Sequence, residues 1–450
     1  MRPRLTSQLV LAALAVVWVA GVIHSLHHHA LPWLPVLFVD VAWLQALLLA
    51  FGAFGTVLVL VGVFAPALHP PPLAAARPFL SILVSAKNEE AVIARTVRNL
   101  AALEYDEDGY RRFELIVIDD QSTDRTPQIL ADLAREESLH VVRTPAGSIG
   151  KAAALNLGMA HARGEIVAVL DADARVRPDF ITRMMASLSG PPIGGVQCQR
   201  RLYNAGQNLW TRLQDDEYRF VHHPMQRARQ ALGGMVSFSG NGFLLRRDAL
   251  DEVGGWNEEA LTEDIDLTVR FHLARWGIQY CEDVVVWEEA VPTVADLIRQ
   301  RGRWFEGALR CLGDHLPAML FSRMSPFLRI DMLVFLSGGL LFTLGFLTSY
   351  FYAVVNLAGA DVLVVQLPQS LAVWSSGLLT AGLLVAVLTQ TRGRIGEAGA
   401  IVVRSVIFSL HRLIVVPLAI YRYVRSAVTG HTIWEKTAHG AAIPPGDGDL

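Results

Sequence analysis

The sequence is poor in cysteine and has no excess of basic charge. Its 450 residues include only three cysteines, Cys198, Cys281 and Cys311. That is too few for a disulfide framework and suits a reduced, cytosolic compartment. The formal net charge is −3, so no basic surplus is available for a polyanionic partner. The composition therefore excludes a disulfide-rich secreted domain and indicates that no nucleic acid is bound.

Charged side chains are scarce toward both ends of the chain. Of the 39 Lys and Arg and the 42 Asp and Glu, only 15 lie in residues 1–76 and 332–450 together. The whole chain is 52% hydrophobic, with a mean hydropathy of +0.36. This is too apolar for an ordinary soluble enzyme. The pattern predicts a cytosolic domain inserted between transmembrane segments.

Long uncharged runs give the expected positions of those segments, because a helix of about 20 apolar residues crosses a bilayer. Residues 1–76 have room for two spans, near Leu5–Ile23 and Leu44–Leu68. Residues 332–391 have room for two more, in Met332–Ala360 and Val362–Thr391. We expect the cytosolic domain in residues 77–310 and an interfacial helix in residues 311–331.

The C-terminal region, residues 392–450, has a different pattern. The stretch Ala398–Val428 is interrupted by several arginines that a bilayer core would resist. It is predicted to be an interfacial or membrane-embedded helix, followed by a cytosolic tail. Arginines flank the spans on one side only, at positions 2, 4, 77, 392 and 394. The positive-inside rule then predicts a multi-pass protein of the plasma membrane whose termini and central domain are cytoplasmic.

Strands alternate with helices in the central domain. Short apolar runs, typical of buried strands, occupy Pro78–Ser85, Phe113–Asp120, His140–Arg143 and Glu165–Asp171. Helical patterns lie between them. This order predicts an α/β domain with a Rossmann-like, mostly parallel sheet and a ligand site at the carboxyl ends of the strands.

Carboxylates follow two of these strands. Asp119 and Asp120 end one strand, and Asp171 and Asp173 end another. Two carboxylates at i and i+2 can approach one hard divalent cation, and a nucleoside diphosphate carries charge that such a cation would complement. An isolated Asp-x-Asp is more simply a solvated loop. The position directly after a buried strand strengthens the functional interpretation.

Two glycine-containing segments are weaker signals. Gly150-Lys151 opens a helix where Lys151 could pair with phosphate, although an ordinary helix start explains it equally. Gly233–Gly242, which includes Gly240, is a tight turn or a backbone surface that could lie against a sugar.

Two later motifs offer acid–base and stacking chemistry. Thr262-Glu263-Asp264 opens a helix, where Thr262 could cap and Asp264 could act as a general base. Gln300, Arg303 and Trp304 share one helical face. A guanidinium beside an indole can pair with a diphosphate and stack on a sugar.

In this order, the motifs resemble the membrane-integrated branch of glycosyltransferase family 2, which includes cellulose, chitin, hyaluronan and poly-N-acetylglucosamine synthases. The resemblance covers roughly Pro78 to Leu309. It implies a GT-A-like fold with a Rossmann-like mixed sheet, a UDP-sugar donor, inversion at the anomeric carbon, and Mg or Mn as cofactor.

The resemblance also implies roles for individual residues. Asp264 is the expected catalytic base, and Asp171 and Asp173 are the expected metal ligands. The expected donor-binding residues are Asn88, Glu89, Asp119, Asp120, Lys151, Asp171 and Arg303. The expected acceptor or product residues are Gly240, Glu263, Gln300 and Trp304.

Three functions agree with these residues. The first is a synthase that extends a β-linked polysaccharide from UDP-N-acetylglucosamine or UDP-glucose. The second is a glycolipid synthase that transfers one or two sugars to a membrane lipid such as diacylglycerol. The third, an inactive membrane scaffold, is disfavoured because every proposed catalytic carboxylate is present. The expected partners are the UDP-sugar donor, a glycan or lipid acceptor and the bilayer. The sequence does not decide whether an accessory subunit is present.

Overall fold

A computed structural model of the chain describes residues 37–40, 42–67, 77–148, 150–188, 192–338, 362–365 and 368–429. The expected span Leu5–Ile23 and most of the expected span Met332–Ala360 lie outside the described residues.

An eight-stranded sheet forms the centre of the domain. In chain order its strands are β1 (Leu80–Ala86), β2 (Phe113–Asp119), β3 (Leu139–Arg143), β4 (Ile166–Asp171), β5 (Arg175–Val176), β6 (Ile193–Leu202), β7 (Phe243–Arg246) and β8 (Gly277–Glu288). Their spatial order is β3-β2-β1-β4-β7-β6-β8-β5. Strands β1 to β4 are mutually parallel, β7 runs antiparallel to both β4 and β6, and β5 runs antiparallel to β8.

The sheet is therefore mixed, as the family resemblance implies, and its first half is the Rossmann-like parallel arrangement that the alternating elements predict. The second half follows from the antiparallel insertion of β7, which pairs Phe243 with Val169 of β4 and with Gln197 of β6. This half begins after residue 171, where long segments separate the strands and the sequence no longer alternates simply. The switch from parallel to antiparallel pairing lies beside the carboxyl end of β4.

Both faces of the sheet are buried, so the strands have apolar residues at consecutive positions of the sequence. On β1, Ile82 and Val84 join one core cluster, whereas Leu83 joins the other. On β2, Leu115 belongs to the first cluster and Ile116 to the second. Each face is covered by helices, so the sheet lies between two helical layers.

The helices are Ala42–Phe64, Ile93–Ala101, Thr126–Glu136, Gly150–His161, Phe180–Ser187, Leu209–Glu217, His223–Leu232, Arg247–Glu252, Glu263–Leu273, Val294–Phe321, Gln369–Gln390, Ile395–Ser409 and Arg412–Thr429, with a further helical segment over 326–338 and a π-helical turn over Tyr218–His222. Two small pairs of strands complete the described structure: Leu37–Asp40 with Val362–Val365, and Asp106–Glu107 with Tyr110–Arg111.

A separate helix over residues 311–331 does not form. Residues 311–321 instead continue the 28-residue helix Val294–Phe321, because buried apolar residues such as Leu309 and Leu312 extend the same face across the expected boundary at residue 310. The helix includes Pro317 in its last turns and ends only at Phe321.

Two described segments are long and apolar enough to cross a membrane: Gln45–Phe64 and Ile395–Ser426. The second is bent where the helix Ile395–Ser409 ends and the helix Arg412–Thr429 begins. The expected span Val362–Thr391 is partly a strand, and its helix begins only at Gln369, after Pro368. Its strongly apolar part, Gly377–Gln390, is shorter than a typical span.

Candidate active site

A cavity of about 510 Å³ lies at the carboxyl ends of β1, β2 and β4. Most of the site residues that the sequence predicts line it: Glu89, Asp120, Lys151, Asp171, Asp173, Gly240, Glu263, Asp264, Gln300, Arg303 and Trp304. They come from motifs spread over more than 200 residues of the chain. The sheet and the helices that cover it gather them around one space.

Asn88 and Asp119 lie behind this lining and hold two loops together. The backbone N–H of Asn88, whose φ is 53°, donates to Ser122 Oγ at 2.8 Å, and its side-chain oxygen accepts from the backbone N–H of Thr123 at 2.7 Å. The carboxylate of Asp119 accepts from the backbone N–H of Ser122 at 3.0 Å and lies 3.4 Å from Arg143. Both residues position the loops after β1 and β2 that border the cavity.

Asp120 faces the cavity at one end. Its two carboxylate oxygens contact different partners: Lys87 Nζ donates to one at 3.1 Å, and Thr144 Oγ1 donates to the other at 3.2 Å. Asp120 is 3% exposed, so these partners compensate for most of the water it has lost. A carboxylate held this firmly can accept hydrogen bonds from a nucleobase or ribose.

Lys151 connects three parts of the site. Its ammonium donates to the carboxylate of Asp171 and to the carbonyl oxygen of Gly240, and it lies 3.5 Å from Glu263 Oε1. Burial alone would lower the pKa of Lys151, but the carboxylates of Asp171, Glu263 and Asp264 outweigh burial and raise it well above the ordinary value. Lys151 therefore stays cationic next to the place where the sequence predicts a diphosphate.

Asp264 lies half-buried at the start of the helix Glu263–Leu273. Burial and the neighbouring carboxylate of Glu263 raise the pKa of Asp264 to about 7, although Lys151 opposes the shift. A carboxylate with this pKa is suited to accept a proton near neutral pH.

The expected cap of that helix is not made. Thr262 stands at the N-cap position, but its side chain accepts no hydrogen bond from the first turn. It packs against Gly307 instead, where an added Cβ would lie 2.3 Å from Thr262 Oγ1. This close approach of two helices brings the helix that carries Trp304 next to Asp264.

Asp171 and Asp173 offer oxygen ligands to a cation. Asp173 Oδ2 accepts from the backbone N–H of Glu289 at 2.8 Å, and the backbone N–H of Asp171 donates to Asn241 Oδ1 at 3.0 Å. Both carboxylates line the cavity, together with that of Glu289. Hard divalent cations such as Mg²⁺ and Mn²⁺ prefer such a donor set, so these residues fit the expected metal.

A second group of possible ligands, Asp266, Cys311 and His315, fits a cation less well. Their ligand atoms lie within 4.8 Å of one another. However, Asp266 already accepts from Arg270 at 2.7 Å and lies 2.8 Å from His315 Nε2. Both oxygens of Asp266 are therefore engaged, and the group offers a thiol and an imidazole where Mg²⁺ and Mn²⁺ prefer oxygen ligands.

The other end of the cavity is formed by the helix Val294–Phe321, which carries Gln300, Arg303 and Trp304. The indole of Trp304 lies beneath two guanidinium groups, those of Arg301 at 4.4 Å and Arg200 at 5.9 Å from the ring centroid. These cation–π contacts fix the orientation of the ring.

A buried charge network behind Trp304 was not predicted from the sequence. Glu217 pairs with Arg301 at 2.7 Å and with Arg412 at 3.4 Å. Burial alone would raise the pKa of Glu217, but Arg301, His222 and Arg412 lower it to about 2. All four side chains line the cavity. The sequence shows only the polar run Gln214–Glu217; that these side chains are buried is known from the structure.

A second group that was not predicted borders β6 and β8. Arg200 forms a two-pronged ion pair with Glu288, and Asn241 Nδ2 donates to the same carboxylate at 2.9 Å. Asn241 also accepts from the backbone of Asp171, so this pair supports the position of the expected metal ligand. No local motif indicates the pairing, because the partners are far apart in the chain.

The region that carries these residues is similar to a known family and to several known proteins. The family described as glycosyltransferase-like family 2 matches residues 77–307. A β-monoglucosyldiacylglycerol synthase from Nostoc sp. is 44% identical over 261 residues, which are 58% of this chain and 55% of that protein. A poly-β-1,6-N-acetyl-D-glucosamine synthase from Staphylococcus epidermidis is 30% identical over 248 residues, 55% of this chain and 58% of that protein.

Among solved structures, a mannosyltransferase from Pyrobaculum calidifontis, in complex with GDP-Man and Mn²⁺, superimposes with a TM-score of 0.56. It is 21% identical, and the alignment covers 82% of this chain and 99% of that protein. This similarity confirms the GT-A-like fold. The chain spans little more than half the length of the two curated relatives described above.

Proposed function

The chain belongs to glycosyltransferase family 2, and from that membership we propose that it transfers glucose from UDP-glucose to diacylglycerol at a membrane surface. The acceptor class rests on one observation, the 44% identity to a β-monoglucosyldiacylglycerol synthase. A polysaccharide was the first product expected from the sequence, and the comparisons favour the alternative, a glycolipid.

The proposed reaction is a single displacement with inversion. Asp264 accepts the proton of the acceptor hydroxyl, whose oxygen forms a bond to the anomeric carbon of the sugar. The bond between that carbon and the diphosphate oxygen breaks, and the nucleoside diphosphate leaves. A pKa of about 7 for Asp264 matches this role, because a base works best when its pKa lies near the working pH.

The donor would lie between Asp120 and Lys151. In this proposal Asp120, with Glu89 and the loops that Asn88 and Asp119 hold, borders the nucleoside. Lys151 and Arg303 provide positive charge beside the diphosphate, where such charge stabilises the negative charge that develops on the leaving group. Mg²⁺ or Mn²⁺ held by Asp171 and Asp173 would neutralise diphosphate charge when bound.

The acceptor would approach from the side of Trp304. Gln300 and Trp304 lie on the same helical face. Gly240 lies next to Asp264, and Glu263 lines the same cavity. An indole ring provides a flat apolar surface for the sugar, and an amide can fix its hydroxyl groups.

We also propose a multi-pass membrane protein whose catalytic domain is cytoplasmic. Exposed large apolar side chains support this proposal. Among the described residues of 77–310, only Tyr110, Leu209, Leu232 and Val294 are exposed large hydrophobics. Far more occur on the flanking helices, including Trp374 at 73% and Val428 at 81% exposure. Large exposed apolar surfaces of this kind are typical of a membrane interface.

A polysaccharide product is the second candidate, supported by the 30% identity to a poly-β-1,6-N-acetyl-D-glucosamine synthase. The two products require the same chemistry and differ in whether the sugar product becomes the next acceptor.

The test incubates the purified full-length chain in lipid nanodiscs with a panel of UDP-sugars, with and without diacylglycerol, and measures product mass. We expect monoglucosyldiacylglycerol from UDP-glucose, dependent on added diacylglycerol, and far less of it from an Asp264→Asn sample. Chains of many sugars formed without the lipid would contradict the proposal in favour of a polysaccharide synthase.

A further inference from the structure

The cavity changes character beyond Trp304. Around Asp264 it is lined by carboxylates and Lys151. The rest of the lining combines the charged side chains of Glu217, Arg301 and Arg412 with six apolar ones, called here the apolar end: Val221, Met225, Phe305, Ala308, Phe335 and Leu336. All belong to one continuous cavity, so a ligand bound at Asp264 could extend along these apolar side chains without leaving the protein.

One helical face connects the two ends. Gln300, Trp304 and Ala308 follow one another at intervals of four residues on the helix Val294–Phe321, so they lie on the same side. The rise of about 1.5 Å per residue puts Gln300 and Ala308 roughly 12 Å apart. Farther along, at the end of the helix, Leu320 and Phe321 are 44% and 87% exposed. The helix thus leads from the expected acceptor site toward an exposed apolar edge.

Phe335 and Leu336 form another wall of the cavity, and a buried ion pair holds this wall in place. Arg229 donates to Asp331 at 3.0 Å, both residues are at most 4% exposed, and the Arg229 guanidinium lies 5.0 Å from the centroid of the Phe335 ring. Asp331, Phe335 and Leu336 all belong to the helical segment 326–338. This segment is therefore tied to the catalytic domain.

The same wall contacts a candidate membrane helix. Met225 lies on the helix His223–Leu232, and Arg227 of that helix donates to the carbonyl oxygen of Ala65 at 2.6 Å. Gly62 packs so tightly on Pro224 that an added Cβ would lie 1.7 Å from its carbonyl oxygen. The apolar end of the cavity is therefore next to the segment Gln45–Phe64, which is apolar enough to cross a bilayer.

We propose that this apolar end binds the glycerol and the first part of the acyl chains of the lipid acceptor. The inference rests on the proposed function and adds the subsite that selects the acceptor. A neutral glycerolipid fits because its hydroxyl must reach Asp264 while its chains stay out of water. Leu320 and Phe321, farther along the helix that carries Ala308, are exposed apolar side chains.

The test measures acyl-chain preference. Wild-type protein in mixed micelles is given dioleoylglycerol or diacetylglycerol, whose acyl groups have only two carbons, and kcat/KM is determined for each. Ala308→Phe narrows the apolar end, and Ala318→Phe places the same bulk at an exposed position of the same helix. We expect Ala308→Phe to lower the ratio of long-chain to short-chain kcat/KM about tenfold, mainly through KM, and Ala318→Phe to keep the wild-type ratio.

UDP binding, measured by calorimetry, checks that Ala308→Phe is folded. If that variant no longer binds UDP, Phe335→Ala, which enlarges the same end, provides the test, and a changed chain preference supports the inference. If wild-type protein glucosylates diacylglycerol and the folded variants keep its chain preference, the proposed subsite is wrong but the proposed function is not. Wild-type protein that uses neither acylglycerol would overturn the proposed function as well.

Discussion

The carboxylate of Asp264 lies directly against the backbone of Gly240: a Cβ added to Gly240 would lie 3.3 Å from Asp264 Oδ2. Gly240 also has a φ of 78°, a conformation that side-chain-bearing residues rarely adopt. Its carbonyl oxygen accepts from Lys151 at 2.6 Å. The glycine thus leaves space beside the expected base and at the same time helps to hold the cation of the site.

Gly240→Ala should reduce activity more than it reduces stability. The left-handed conformation costs alanine about 1–2 kcal/mol. The new methyl group would also displace Asp264, so turnover should fall by about one to two orders of magnitude. Gly254→Ala is the matched control, because Gly254 has a φ of 82° and nothing within 4 Å of an added Cβ. We expect similar losses of thermal stability in both variants and a loss of turnover in Gly240→Ala alone. Equal turnover would contradict the role of this contact.

Asp264→Asn should keep the fold and donor binding while lowering turnover. A well-placed general base contributes about 10²–10⁴-fold, and the amide cannot take the proton. Asp248→Asn is a suitable control, since Asp248 also lies in the first turn of a helix but is exposed. Near-normal turnover in folded Asp264→Asn protein would exclude Asp264 as the base.

The activity should depend on pH through the raised pKa of Asp264. Below about pH 7 the carboxyl group of Asp264 is protonated and cannot act as a base. We therefore expect kcat/KM to fall roughly tenfold for each pH unit below that value, in a profile measured at constant ionic strength. A profile that stays flat between pH 5 and 8 would argue against this assignment.

The same pKa makes an opposite prediction for stability. The folded state holds a proton on Asp264 that the unfolded state releases above the ordinary pKa of 3.8. This contribution to the free energy of unfolding is full below about pH 4 and is lost as the pH rises to about 7. Asp264→Asn removes this contribution, so its stability relative to wild type should increase across that range in denaturant titrations.

The sequence predicted the α/β class, the position of the ligand site at the carboxyl ends of β1, β2 and β4, and the helix that carries Gln300 and Trp304. These features depend on local apolar runs and on motifs a few residues long. It did not predict which members of a motif face the cavity. Asp119 and Asp120 are adjacent, yet only Asp120 lines the cavity, because consecutive side chains at the end of a strand point in opposite directions.

Contacts between residues far apart in the chain could not be predicted from the sequence either. Glu217 and Arg412 are 195 positions apart, and nothing in either neighbourhood identifies the other. The antiparallel insertion of β7 between β4 and β6 is a similar case, since its strand, Phe243–Arg246, is only four residues long. Such contacts follow from tertiary packing rather than from local propensity.

Donor binding should depend on a divalent cation. UDP titrations in Mn²⁺ and in excess chelator should give a Kd at least about tenfold weaker without the cation, because uncompensated carboxylates would repel the diphosphate. Asp173→Asn should lose most of this dependence. Asp179→Asn, which removes a nearby exposed carboxylate, should retain it. Full activity in excess chelator would contradict the metal assignment.

The C-terminal region should lie on the cytoplasmic side. Arg404 and Arg412 occur in the middle of Ile395–Ser426, yet they pair with Asp216 at 2.5 Å and with Glu217 at 3.4 Å on the catalytic domain. A helix that crossed a bilayer would hold its middle about 15 Å inside the hydrocarbon, out of reach of these carboxylates.

A reporter fused after Leu450 should therefore behave as cytoplasmic, as the arginine-rich flanks also predict. A fusion truncated after His29, in a segment without Lys or Arg, should give the opposite signal and serves as the control. An external signal from the Leu450 fusion would mean that Ile395–Ser426 crosses the membrane. In that case the contacts of Arg404 and Arg412 with the catalytic domain could not exist in the membrane-inserted protein, and Arg404→Ala and Arg412→Ala should leave activity unchanged.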